Sequence, residues 1–212
     1  IINDPLDDIV IGDQGELIVN AFGDWSVTST FAAGIGGIDE INTGAGNDFV
    51  IAGQQGDQID SGGGDNVVIG DEGMIEVALD GALKLVSTSE DSFGGEDEIT
   101  SGAGGSIIFG GASNDVISAN LNTATDKRSV IFGDGGVAEF AASGLLERVE
   151  TDSEPAGGDD TIETGLGSDV LVAGLGNDKE DSAGGDYLVI GDTGVAEFLD
   201  GVLIAVETTD SD

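Results

Sequence analysis

Residues 36–44 read GGIDEINTG, 45–53 read AGNDFVIAG, 54–62 read QQGDQIDSG and 63–71 read GGDNVVIGD. Asp39, Asp48 and Asp57 fall nine residues apart in this stretch, and so do Ile41, Val50, Ile59 and Val68. Glycine and aspartate recur in the turn, and an apolar residue recurs two places after each aspartate. That beat describes a short strand joined to a metal-binding loop, and a fixed-period repeat takes precedence over local propensity. Strands such as Phe49-Val50-Ile51, Val67-Val68-Ile69, Ile107-Ile108-Phe109 and Val170-Leu171-Val172 are too short to be joined as hairpins across six-residue loops. They are predicted to stack as coils of a parallel solenoid, two strands and two turns per coil, with coils about 4.8 Å apart.

A longer period contains this one. Val-Ile/Phe-Gly-Asp-x-Gly recurs at Val10–Gly15, Val68–Gly73, Val130–Gly136 (one residue longer) and Val189–Gly194, so Gly12, Gly70, Gly133 and Gly191 are 58, 63 and 58 residues apart. Then come MIEVALDGALKLVST from Met74, VAEFAASGLLERVET from Val137 and VAEFLDGVLIAVETT from Val195. Each reads as two strands around a glycine turn, at Asp80-Gly81, Ser143-Gly144 and Asp200-Gly201, a strong hairpin signal. The first copy runs from Glu16 to Phe31 and turns at Phe22-Gly23-Asp24-Trp25. Ile75, Val77 and Leu79 alternate with Glu76, while Ala138 and Phe140 flank Glu139, and Ala196 and Phe198 flank Glu197. One face of each hairpin is expected to be buried and the glutamate face wet.

The predicted fold is all-β: parallel β-roll units alternate with antiparallel hairpins that lie against the roll and cover its hydrophobic face. The units are 1–33 (the end of a preceding roll plus a hairpin), 34–93, 94–156 and 157–212, in one continuous array. No window carries the apolar stripe of a helix.

Asp and Glu number 43 against 5 Lys and Arg, a formal net charge of −38. Such self-repulsion opposes compaction, yet disordered acidic tails do not keep apolar residues and aspartates in register. The charge therefore reads as a set of metal sites, neutralised when cations bind. A halophile-type surface would scatter its carboxylates rather than tie them to glycine loops. There is no Cys and no His, which removes disulfides, thiolate zinc sites, thiol nucleophiles and His-based triads together. Carboxylates and carbonyls remain, hard oxygen ligands suited to Ca²⁺ or Mg²⁺. A basic footprint for nucleic acid is missing, and the charge repels phosphate. No stretch of about 18 apolar residues is present to span a membrane. Residue 1 is Ile and no signal peptide is visible; the chain starts and stops inside the repeat, without capping segments, and reads as a piece of something larger.

Thr43-Gly44-Ala45-Gly46-Asn47-Asp48-Phe49-Val50-Ile51 resembles the nonapeptide of the repeats-in-toxin (RTX) family, Gly-Gly-x-Gly-x-Asp-x-hydrophobic-x, with Thr43 in place of the first glycine. Thr164-Gly165-Leu166-Gly167-Ser168-Asp169-Val170-Leu171-Val172 matches equally well, and Ala173-Gly174-Leu175-Gly176-Asn177-Asp178 matches through its aspartate. The hairpins fall outside the resemblance. It implies a calcium-binding β-roll in which Ca²⁺ sits between loops 18 residues apart, held by Asp carboxylates and loop carbonyls. On that implication Asp39 shares a site with Asp57, Asp97 with Asp115 and Asp160 with Asp178. On the opposite edge Asp48 pairs with the Gly64-Asp65-Asn66 loop and Asp169 with the Gly185-Asp186-Tyr187 loop.

Physical chemistry favours the same assignment. Glycine at every second loop position lets carbonyls converge, and Ca²⁺ takes six to eight oxygens at about 2.3–2.6 Å. Aspartates that merely cap solvent turns would not need strict nine-residue phase. Some positions depart from the pattern. Ser106 stands where aspartate is expected, so the site on Gly102–Ser106 is expected to be weak or empty. Gln55 replaces a loop glycine, Glu180 takes an apolar position, and Ala119–Arg128 contains an insertion. Asp65 and Asp186 come one place early, and Asp7-Asp8 resembles the same loop of a preceding unit, which adds Asp8 to the candidates. Asp13, Asp71, Asp134 and Asp192 sit where the next loop has its second glycine, and ligand and turn-former remain open for them.

Trp25, Met74 and Tyr187 read as packing residues, and Lys127-Arg128 as a solvated loop. Asp159-Asp160 resembles a glycosidase acid pair only in spacing, with no aromatic platform for a sugar, and no enzyme is expected within these residues. The leading function is a calcium-loaded structural segment of a secreted or cell-surface bacterial protein, a stalk or fibre whose units join end to end in one chain or between copies. The alternative is a calcium-dependent folding and secretion module for a toxin or enzyme domain elsewhere. An ice-binding face would need a regular Thr or Asn row, whereas Thr43, Ser101 and Thr164 recur only once per long period.

Overall fold

The computed structural model describes residues 4–30, 35–89, 94–120, 127–151 and 157–208. Phe31 at the expected end of the first hairpin, residues 121–126 of the insertion, and the residues after Thr208 lie outside them. Among the described residues the chain is all-β, with twenty-one strands and no helix, arranged in three sheets.

Two of the sheets are parallel and form the walls of a roll. The middle wall stacks Ile9–Ile11, Phe49–Ile51, Val67–Ile69, Ile107–Phe109, Val130–Phe132, Val170–Val172 and Leu188–Ile190. The wet wall stacks Glu40–Asn42, Gln58–Asp60, Glu98–Ser101, Val116–Ala119, Thr161–Leu166 and Lys179–Gly184. Successive side chains of a strand face opposite ways, which divides the apolar residues into two cores. The central residues Val50, Val68, Ile108, Ile131 and Leu171 point into the roll and meet Ile41, Ile59, Ile99, Ile117 and Ile162 from the wet wall. These are the nine-residue apolar positions. Glu180 holds that place in the last wet strand, in register with Ile162 but half-buried.

The neighbours of those central residues, including Ile51, Val67, Ile69, Phe109, Phe132 and Val172, face outward and build a second core with the hairpins. Phe109 and Phe132 stack with centroids 4.2 Å apart, and Trp25 of the first hairpin meets Phe49 edge-on at 5.0 Å. The hairpins also pair with one another, which sequence reasoning missed. Trp25–Ser29 pairs with Gly73–Val77, Leu83–Thr88 with Gly136–Phe140, and Leu146–Thr151 with Gly194–Leu199, closing one antiparallel eight-stranded sheet. Its spine runs Leu17, Val27, Ile75, Val86, Ala138, Val149, Ala196, Val206, and the interior members are buried. A hydroxyl marks each junction: the amides of Gly73, Gly136 and Gly194 donate to Ser29 (2.7 Å), Thr88 (2.9 Å) and Thr151 (2.9 Å). Leu79, expected on the buried face, is instead exposed at a hairpin tip, where its amide donates to Asp24 at 3.0 Å. The strand ends at Val77, before the alternation reaches it.

Plain coils advance 18 residues, and coils that carry a hairpin advance 40. The long period is one of each. The insertion before Ser129 lengthens one plain coil to 23 residues, which accounts for the single longer interval.

Candidate metal centre

The hairpins leave the roll at one edge, where the chain crosses from the middle wall to the wet wall. Plain crossings there are six-residue loops, Ala52–Asp57, Gly110–Asp115 and Ala173–Asp178. In the other three crossings a hairpin is inserted after the second loop residue. Gly12-Asp13 is completed by Gly36-Gly37-Ile38-Asp39, Gly70-Asp71 by Gly94-Gly95-Glu96-Asp97, and Gly133-Asp134 by Gly157-Gly158-Asp159-Asp160. Every crossing thus ends on an aspartate immediately before the wet strand.

Those aspartates form one ladder. The amide of Asp39 donates to Asp57 Oδ1 at 2.7 Å, Asp57 to Asp97 at 2.6 Å, Asp97 to Asp115 at 2.8 Å, Asp115 to Asp160 at 2.8 Å, and Asp160 to Asp178 at 2.9 Å. The pairs 18 residues apart are those implied by the resemblance. The links Asp57–Asp97 and Asp115–Asp160 were not foreseen, and they carry the row across unit boundaries.

Each rung uses one carboxylate oxygen. The other, Oδ2, is buried without a hydrogen-bond partner in Asp39, Asp57, Asp97, Asp115 and Asp160. A buried anionic oxygen left unpaired is strongly unfavourable. Four of them, in Asp39, Asp97, Asp115 and Asp160, open onto notches that a side chain would fill. A Cβ on Gly70 would collide with Asp97 Oδ2 and lie 2.5 Å from the Gly110 carbonyl oxygen. One on Gly110 would lie 2.5 Å from Asp115 Oδ2 and collide with the Gly133 carbonyl, and Gly12 and Gly133 repeat the arrangement with Asp39 and Asp160. Carboxylate oxygen and carbonyl oxygen thus converge at each notch, the donor set of a hard cation. Among the described residues no three carboxylates meet at one point, so carbonyls must complete any coordination shell.

Without a cation, burial biases the row toward its protonated form. Burial, reinforced by neighbouring carboxylates, pushes Asp57 and Asp160 up to about 7, Asp97 to about 8 and Asp115 to about 10. Burial likewise raises Asp39 and Asp178 at the ends of the row.

The opposite edge is less uniform. The Asp8 amide donates to Asp48 Oδ1 at 2.9 Å, that of Asp48 to Asn66 Oδ1 at 3.0 Å, that of Ser106 to Ser129 Oγ at 3.3 Å, and that of Ser129 to Asp169 Oδ1 at 2.8 Å. Asp8 and Asp48 keep a buried, unpartnered Oδ2. Between them and Asp169 the row is neutral: Asn66 Nδ2 donates to the Ser61 carbonyl at 3.0 Å, and the hydroxyls of Ser101 and Ser106 lie 2.6 Å apart. Asn66, not Asp65, is the counterpart of Asp48, because Val67 is in register with Phe49. Asp65 faces outward, where Lys127 approaches it at 2.7 Å. Burial pushes its carboxyl up, but the Gly105 amide and Lys127 outweigh that and hold it below the ordinary range. Asp186 is likewise exposed, and Tyr187 stands at the ladder position. Lys127-Arg128 is therefore not simply solvated: Arg128 also donates to the carbonyls of Ser168 (3.0 Å) and Gly201 (2.9 Å) and lies over the Phe198 ring.

Asp13, Asp71 and Asp134 lie beside the hairpin-edge row, with both oxygens taken by backbone amides. Asp13 accepts from Gly37 (3.0 Å) and Gln54 (2.7 Å), Asp71 from Gly95 (3.1 Å) and Ala112 (2.5 Å), and Asp134 from Gly158 (2.9 Å) and Leu175. Asp192, after the last strand of the middle wall, is exposed.

A family model described as the RTX calcium-binding nonapeptide repeat (4 copies) matches residues 34–73, 91–122 and 156–188, leaving the hairpin bodies outside. No curated protein and no solved structure matches the chain.

Proposed function

Because the chain belongs to the RTX calcium-binding nonapeptide-repeat family through these three stretches, we propose that it is a calcium-rigidified structural segment of a secreted or cell-surface protein, a length of stalk or extracellular fibre. RTX nonapeptide repeats bind several calcium ions per array. In this reading Asp39, Asp57, Asp97, Asp115, Asp160 and Asp178 hold ions along the hairpin edge, and Asp8, Asp48 and Asp169 do so along the other. Each ion takes carboxylates from two successive loops and completes its shell with carbonyls. The observation that carries the reading is the row of buried carboxylate oxygens without partners.

Bound calcium supplies what the fold lacks, positive charge inside a chain of −38. Extracellular modules bind with dissociation constants of about 10⁻⁴–10⁻³ M, so the chain stays open in a low-calcium cytosol and closes outside. Continuation of the stack end to end, in one chain or between copies, belongs to the same reading. Circular dichroism in chelator and then in excess calcium tests the calcium requirement: β signal appears only with calcium, and the midpoint temperature climbs with its concentration. A β spectrum unchanged in chelator refutes it. Negative-stain images of the parent protein in calcium test the stalk, and globular particles would overturn that part.

A further inference from the structure

We propose that Asp13, Asp71 and Asp134 are positioning residues for the calcium row: each splices a loop that a hairpin has cut, making hairpin closure and assembly of the cation slot one event. The proposal rests on the calcium reading above and assigns these three aspartates a role other than ligation.

The geometry repeats at the same sequence offsets three times. The inserted segments, 14–35, 72–93 and 135–156, are equal in length. Each clamping aspartate bonds an amide 24 residues on, in the returning half of its own loop, and one 41 residues on, in the next coil. Its carboxylate is wedged between two glycines: Gly36 and Gly53 for Asp13, Gly94 and Gly111 for Asp71, Gly157 and Gly174 for Asp134.

Plain loops carry glycine where the split loops carry this aspartate. Gly53, Gly111 and Gly174 have φ of 116°, 118° and 104°, and in plain loops a peptide bond ties that residue to the next one. A split loop lacks that tie, and bringing its halves together across a long excursion costs closure entropy. The carboxylate restores the link through its own-loop bond and sets the stacking through the second. A Cβ on Gly53 would lie 2.5 Å from Asp13 Oδ2, and one on Gly111 or Gly174 would collide with Asp71 or Asp134, so the plain coil is shaped to receive the clamp. The slot at Asp39, Asp97 or Asp160 is bounded by both halves of a split loop and by its neighbour: the glycine of the first half, the carboxylate of the second and a carbonyl of the next coil. It forms only once the halves are joined.

Trp25, the single tryptophan, reports closure of the first hairpin through its contact with Phe49. The full chain and its Asp13→Ala and Asp13→Asn variants are titrated with calcium chloride, following heat for ion count and Trp25 emission for hairpin docking. In Asp13→Ala the ion count stays at the wild-type value and the calcium midpoint of the Trp25 signal rises about tenfold, the equivalent of losing hydrogen bonds to a charged group. Asp13→Asn, which keeps one acceptor oxygen, falls between the two and carries the comparison alone should the alanine variant not fold. One ion fewer in the variants makes Asp13 a ligand and overturns the proposal, as does an unshifted Trp25 midpoint. A wild-type chain giving neither heat nor emission change overturns the calcium reading beneath it, a result distinct from any difference between variant and wild type.

Discussion

Asp115→Asn should act with opposite sign in the presence and absence of calcium. In the metal-free fold, burial first and the nearby carboxylates of Asp97 and Asp160 next raise the Asp115 carboxyl to about 10 from an ordinary 3.8. At about pH 7.5 the folded chain must keep this group protonated while the unfolded chain releases the proton, which costs roughly 5 kcal/mol at 1.36 kcal/mol per pH unit. Asp97, raised to about 8, adds a similar amount. Either cost is comparable with the lower end of an ordinary domain's stability, about 5–15 kcal/mol.

A raised folded-state pKa gives stability that is complete below 3.8 and is lost as pH climbs to about 8 for Asp97 and about 10 for Asp115. The calcium-free chain is thus expected to be more stable in acid than near neutrality. Asparagine keeps Oδ1 for the Asp97 amide and has no proton to lose, so the metal-free fold gains up to about 5 kcal/mol at neutral pH. In calcium, the same change strips an anionic oxygen from the two slots that Asp115 joins. A hundredfold loss of site affinity there lowers stability by about 2.7 kcal/mol. Far-UV circular dichroism reads both arms: the pH at which β signal disappears in chelator moves up, and the melting temperature in saturating calcium moves down. A variant less stable than wild type in both conditions would show that Asp115 serves the ladder alone, and the cation argument would fail.

Asn66→Asp creates a facing carboxylate for Asp48 and should add one ion to the calorimetric count. It should also weaken the calcium-free fold, since Asn66 Nδ2 donates to Ser61; an unchanged count would mean the opposite edge needs more than charge. Gly70→Ala drives a methyl into the Asp97 Oδ2 notch and should weaken calcium binding by about tenfold or more, with a loss of stability of about 1–3 kcal/mol. Calcium titration and thermal melts measure the two, and wild-type affinity in that variant would place the ion elsewhere.

The roll was legible because one beat encodes both of its walls: the apolar residue two places after each aspartate is the residue that points inward. The hairpins were legible from glycine turns at Gly81, Gly144 and Gly201, all with positive φ. What a linear reading hides is adjacency across an insertion. Asp57 and Asp97 are separated by a whole hairpin, yet they share a rung. Deleting residues 72–93 on paper turns Gly70-Asp71-Gly94-Gly95-Glu96-Asp97 into an ordinary six-residue loop, which would have revealed both the rung and the odd aspartate. Asp65 comes one place early in its loop, and counting back from Val67 selects Asn66 as the residue level with Asp48. Pairing between hairpins left no trace, since Thr88 and Gly136, which meet at a junction, belong to different units.

The hydroxyl junctions have a mechanical consequence. Hydrogen-bond ladders of all three sheets run along the same axis, so tension along that axis peels strands apart one at a time rather than shearing them together. A plain coil that lets go releases about 60 Å of chain and a hairpin-bearing coil about 140 Å, at roughly 3.4 Å per residue. The larger increment is held by ladder, splice and hydroxyl junction together, the smaller by its ladder and the second bond of the clamping aspartate. Under load such a segment would lengthen in alternating short and long steps. Each step dissipates work, and ions from the surrounding medium are available to re-form the ladder when the load falls.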